Sequence, residues 1–133
     1  LTAQFDVTPL ANNIDTVMAY SDSSTTVDAY SKLNMSIILS ESGYIRVLNG
    51  SSYAALANVP YSANNTYHIR MVARLAQGTY DVWVTPQGGA ETQIADGYAF
   101  RTGAPSIDDL GKFVLLTSIA DDDALVQNHT VAQ

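Results

Sequence analysis

The chain has 133 residues, 47% of them hydrophobic, which suffices for one domain with a sizeable core and leaves too little for a second. Thirteen acidic residues stand against six basic ones, Lys32, Arg46, Arg70, Arg74, Arg101 and Lys112, for a formal charge of -7. That sign repels phosphate backbones and anionic membrane surfaces and argues against nucleic-acid and membrane partners.

Runs of β-branched and aromatic residues alternate with turn clusters at short intervals, and no helical period lasts beyond two turns, so the chain is expected to be all-β. Strands are expected at 1–8, 15–20, 32–39, 44–48, 66–75, 79–85, 92–95, 112–118 and 124–131. Clusters such as "PLANN", "SESG", "NVPYSANN" and "PQGGAE" separate them, each centred on residues that favour turns. Many short strands at this spacing predict an antiparallel β-sandwich or a barrel, one domain over 1–133, and the long gaps at 21–31 and 99–111 fit jelly-roll or Greek-key crossings better than a simple meander. The chain opens on a strand-like run and has no apolar stretch near ~18 residues, so it reads as a mature piece or an excised module.

Residues 66–86, "TYHIRMVARLAQGTYDVWVTP", allow a closer reading, because hairpin register decides which side chains share a face. A tight turn at Gln77-Gly78 sets Ala73 opposite Val82 and Met71 opposite Val84, an apolar face completed by Leu75 and Tyr80. The other face then carries His68, Arg70, Val72 and Arg74 beside Thr79, Asp81, Trp83 and Thr85, with Arg74 opposite Asp81 and Trp83 opposite Val72. Two readings of Trp83 stay open. A loop or crossing segment covers it and arginines stack on it, or its ring is a platform for a sugar, with Arg70 and His68 donating to hydroxyls or a uronate carboxylate.

Eight tyrosines are many for this length, and tyrosine suits both sheet packing and sugar contact. Tyr67, Tyr80 and Phe5 fall on core-facing positions. Tyr30, Tyr53 and Tyr61 lie in or beside loops and, with Asp22 and Asn49, could form an edge site that competes with the Trp83 face. Four N-x-[ST] sequons, at Asn34, Asn49, Asn64 and Asn128, fit either a polar composition or a glycosylated, secreted protein.

The acidic turns raise a metal question, since Ca2+ takes carboxylates and carbonyls from loops. Asp121, Asp122 and Asp123 in "ADDDA" are the first candidates for a structural Ca2+, with "SIDDLG" at 106–111 and Asp22 and Asp28 behind them; the bland alternative is solvated turns that break strand edges. No other cofactor is expected. Catalytic signals are thin: there is no cysteine, no G-x-S-x-G, no H-E-x-x-H, and only His68 and His129. A glycosidase needs two facing carboxylates, and no second acid shares the face of Asp81. No catalytic residue is assigned.

The stretches "FDVTPLANNIDTVMAYSDSS", "GYIRVLNGSSYAA" and above all "TYHIRMVARLAQGTYDVWVTPQGGAETQIADGYAFRT" together resemble a concanavalin-like β-sandwich module appended to secreted microbial polysaccharide-degrading enzymes, both lyases and glycoside hydrolases. The resemblance runs over roughly residues 3–102. It rests on Ser21-Asp22 after the second strand, an aromatic at Trp83 and a closing Tyr98–Arg101 segment. Where the pattern has arginine before "NG", this chain has Leu48, with Arg46 two residues earlier on the same strand face. The resemblance implies a jelly-roll sandwich of the concanavalin or LamG type, secreted, tethered to other domains and non-catalytic, with a poly- or oligosaccharide as partner. An adhesion or spacer domain without glycan binding is the alternative, and a polysaccharide lyase or hydrolase the third.

Overall fold

The computed structural model describes residues 1–117 and 123–133. Ten strands are seen among them: β1 (Thr2–Pro9), β2 (Thr16–Ser21), β3 (Met35–Leu39), β4 (Tyr44–Asn49), β5 (Ser52–Pro60), β6 (Tyr67–Arg74), β7 (Thr79–Pro86), β8 (Thr92–Ala99), β9 (Lys112–Thr117) and β10 (Ala124–Ala132). A single 3-10 turn, Tyr30–Lys32, is the only helical element among these residues. The strands form two five-stranded sheets, β10-β1-β6-β7-β8 and β5-β4-β3-β2-β9, and the paired strands are antiparallel. Sequence neighbours β1 and β2, β5 and β6, β8 and β9, and β9 and β10 lie in different sheets, the connectivity of a jelly-roll sandwich.

The core follows from alternation. Ala3, Phe5 and Val7 of β1, Ile69 and Met71 of β6, and Tyr80, Val82 and Val84 of β7 all point inward and are buried. They meet Met18 and Tyr20 of β2, Ile37 and Leu39 of β3, and Ile45 and Val47 of β4 from the second sheet. Tyr80 carries a polar handle into this core, and its hydroxyl donates to the Leu48 carbonyl.

β2 departs from alternation because it is buried at every position. Its outward Val17 and Ala19 lie in a second apolar cluster with Leu33, against which Val27, Ile38, Val114 and Leu116 pack. Val27 and Leu33 belong to the β2–β3 connection, which therefore folds as a strap over the outer face of the second sheet. This corrects the expectation that the gap at 21–31 crosses between sheets: β2 and β3 are hydrogen-bonded neighbours. The gap at 99–111 does cross, from β8 to β9.

Two further expectations are corrected. β5 replaces an expected loop. Its sequence, "SYAALANVP", has no clean period and ends in proline, which an edge strand with a single buried residue, Val59, tolerates. It is also bulged: Ile45 pairs with Val59 and Val47 with Ala54, so residues 55–58 all stand opposite Arg46.

The β6–β7 register differs from the expected one by two residues: Trp83 lies opposite Arg70 rather than Val72, and Val72 opposite Asp81. A two-residue turn would need positive φ at Gln77 as well as Gly78. The turn instead spans 75–78, with only Gly78 at positive φ (70°), and its N–H donates to the Arg74 carbonyl at 2.9 Å. A shift of two preserves both faces, so the sorting of side chains into core and surface stands while the partners change.

Candidate functional site

The outer face of the first sheet carries Trp83, Arg70, His68, Arg74 and Asp81. The Arg70 guanidinium lies 3.9 Å from the centre of the Trp83 ring and forks onto Glu91 with hydrogen bonds of 3.1 and 2.9 Å. Arg74, diagonal to Asp81, donates twice to it at 2.8 Å, and Asp81 also accepts the Gly97 N–H at 2.7 Å. These arginines hold the Glu91 and Asp81 carboxyls below their ordinary values. His68 is engaged at both ring nitrogens, Nδ1 at 2.7 Å from Asp6 Oδ1 and Nε2 at 2.9 Å from Gln4 Oε1. Asp6 is lowered first by the Asn128 amide and then by His68. Trp83 is half-buried, and what covers one face of its ring is a guanidinium.

The expected edge residues separate. Asn49 accepts the Ala99 N–H at 3.0 Å and ties the β4–β5 turn to the end of β8. Asp22 is buried and accepts from the Ser24 N–H (2.8 Å), the Ser24 hydroxyl and the Asp108 N–H (2.7 Å). These bonds, the Ser24 hydroxyl foremost, hold its carboxyl down at about 2 and pin the strap to the β8–β9 crossing. Asp109 repeats the device, accepting from the Ser23 N–H (2.8 Å) and hydroxyl (2.6 Å). Tyr61, expected in or beside a loop, is buried, and its hydroxyl donates to the Ser40 carbonyl at 2.5 Å, with the Ile14 carbonyl 3.1 Å away.

Tyr30 and Tyr53 do meet. With Asp15, Val17, Ile38 and Arg101 they line a cleft of about 440 Å³ on the outer face of the second sheet. Val17 of β2 and Ile38 of β3 are cross-strand partners and contribute apolar surface. Tyr30 enters from the strap and stays 48% exposed, so its ring is available to a ligand. Tyr53 comes from edge strand β5, where burial raises its phenol against the lowering effect of hydrogen bonds to Ser36 and Arg101. Arg101 Nε donates to the Leu33 carbonyl at 2.9 Å, and Nη2 stands 3.5 Å from Ser36 Oγ. A second cleft of about 330 Å³, lined by Val27, Asp28, Ala29, Leu116 and Thr117, shares Tyr30 with the first.

Two phenol rings, an apolar patch, one guanidinium and one carboxylate can stack on pyranose C–H faces and hydrogen-bond ring hydroxyls. Asp15 is the single carboxylate lining the larger cleft among the described residues, whereas glycosidic hydrolysis uses two. Sequence reasoning did not place Asp15 here; Arg101 was marked by the Tyr98–Arg101 segment, without a location.

Of the proposed Ca2+ ligands, Asp121 and Asp122 lie outside the described residues. Asp123 is exposed, and its carbonyl accepts the Leu10 N–H at 2.9 Å. Among the described residues no cluster of three or more His, Cys, Asp or Glu could hold a metal ion. The sequons divide as well: Asn34 is buried and donates to the Pro105 carbonyl at 2.6 Å, while Asn49, Asn64 and Asn128 are exposed. No helix among the described residues is long and apolar enough to cross a membrane.

No family model matches the chain. Among solved structures, a sialidase superimposes on 86% of this chain and 12% of its own, with a TM-score of 0.48 and 18% identity. A galectin-1-L2 of Dario rerio superimposes on 98% of this chain and 90% of its own, with a TM-score of 0.49 and 9% identity. A gellan lyase of Bacillus sp. is 28% identical over 109 residues, 81% of this chain. The chain thus resembles a segment of a polysaccharide-degrading enzyme, and it spans only 4% of that relative's length.

Proposed function

We propose that this chain is a carbohydrate-binding accessory module, non-catalytic, of a larger secreted protein that acts on a polysaccharide. The observation that carries the reading is the cleft on the outer face of the second sheet, where Tyr30 and Tyr53 flank Val17 and Ile38 with Arg101 and Asp15 to hand. Its tyrosines supply stacking area at low entropic cost, and its charged groups supply directional hydrogen bonds. Similarity to a small segment of a gellan lyase supports a role beside a catalytic region rather than as one, and makes gellan a natural first probe. In this reading Trp83, Arg70 and His68 are structural, because the polar groups of Arg70 and His68 already have carboxylate and amide partners and the Arg70 guanidinium lies over the Trp83 ring.

Affinity electrophoresis of the chain through gels containing gellan, other acidic polysaccharides or neutral β-glucans tests the proposal. Retardation by at least one polymer, lost in Tyr53→Ala and reduced in Tyr30→Ala but retained in Trp83→Ala, is the expected result. Migration unchanged in every gel would leave the adhesion or spacer role in its place.

A further inference from the structure

The six basic residues divide by sheet. On the outer face of the first, Arg70 and Arg74 are each held by a carboxylate, Glu91 and Asp81. Lys32, Arg46 and Arg101, from elements of the second sheet or the segments over it, join no ion pair seen among the described residues. Lys112 of β9 donates to the Thr25 carbonyl.

Arg101 is the telling member, because it is half-buried in the cleft and its described partners, the Leu33 carbonyl, Ser36 and Tyr53, are all neutral. Those partners orient the guanidinium without cancelling its charge, and a partly desolvated cation is stabilised most by an anion it can fork onto. Arg46 stands next to Ile38 in the β3–β4 register, opposite the bulge of β5. Its guanidinium lies 5.8 Å from the centre of the Tyr44 ring. Asp15 in this cleft and Asp28 in the neighbouring one are the opposing charges, and both can accept from sugar hydroxyls. The remaining acidic surface is screened beyond ~8 Å at physiological salt, so the net charge of -7 does not decide what binds here.

We infer that the cleft takes a carboxylate-bearing polysaccharide, a polyuronate, with Arg101 receiving the carboxylate and Arg46 a second contact one strand further along. This rests on the carbohydrate-binding reading and narrows it. The test measures binding of the chain to alginate and polygalacturonate, each beside the same polymer with its carboxylates reduced to alcohols, and to a neutral β-glucan. Binding to a parent polyuronate that falls about tenfold on carboxyl reduction, and falls as salt is raised, is the expected outcome. Arg101→Gln should weaken it about tenfold and Arg46→Gln about threefold, with melting temperatures showing that both variants fold. Arg46→Gln keeps the test valid should Arg101→Gln unfold. Equal binding to parent and reduced polymers, or binding to the neutral glucan alone, overturns this inference and leaves carbohydrate binding standing. Polyuronate binding unchanged in both variants overturns the assignment of the arginines. Binding to none of these polymers overturns the inference, and the function it rests on falls with it only if gellan gels also leave the chain's migration unchanged.

Discussion

On the outer face of the first sheet both arginines grip carboxylates, and the tryptophan lies under one of the guanidinium groups; on the second sheet the arginines have, among the described residues, only neutral or aromatic partners, and a cleft opens between tyrosines. The two faces are built from similar side chains, so composition does not separate them. What separates them is satisfaction. A surface whose charges are already paired has little to offer a ligand, because each new contact must first break an old one. A surface with an oriented, unneutralised guanidinium has its partner still to find.

That contrast can be broken by mutation. The largest effect is expected from Trp83→Ala, which removes a half-buried indole and the Arg70 stack and should cost about 2 kcal/mol of stability in denaturant unfolding, with polysaccharide retention unchanged. Lost retention without lost stability would move the site to the first sheet. Tyr53→Ala should do the reverse, weakening polysaccharide binding about tenfold, or about 1.4 kcal/mol, in titration calorimetry. Arg74→Gln removes a part-buried fork onto Asp81 and should cost about 1 kcal/mol, a difference that high salt narrows in paired melts because its outer edge is screened.

A last, pH-dependent effect sharpens the role of the strap over the second sheet. Asp22 titrates at about 2 in the folded chain, below the ordinary 3.8, so its contribution is fully present above about pH 4 and is lost as pH falls towards about 2. Asp22→Asn should therefore melt below wild type at neutral pH, with the gap closing as the solution is acidified. A gap that stays constant with pH would mean that the carboxylate charge does not pin the strap to the crossing.

Much of the fold was legible because burial imposes a period of two on strands with one wet face. β1, β6 and β7 read cleanly, and the side chains sharing a face with Trp83 were sorted correctly even though the register was off by two. β5 gives no alternating pattern because its bulge breaks the period and most of its residues on both faces are only half-buried or exposed. The strap and a crossing look alike in sequence, since both are long polar segments and only the packing of Val27 and Leu33 on β2 distinguishes them. For the cleft, Tyr30 and Tyr53 were candidates by residue type and loop position. Their company was not legible, because Asp15, Tyr30, Tyr53 and Arg101 come from four distant stretches of chain.

Alternation, turn residues and composition, which act between near neighbours, by themselves determined an all-β sandwich or barrel with Phe5, Tyr67 and Tyr80 inside and Trp83 outside. Only the tertiary structure decided which charges would find partners. An ion pair depends on distances of a few ångströms between residues far apart in sequence, so the closed face and the open cleft exist only once the strands have paired and the strap has settled over the second sheet.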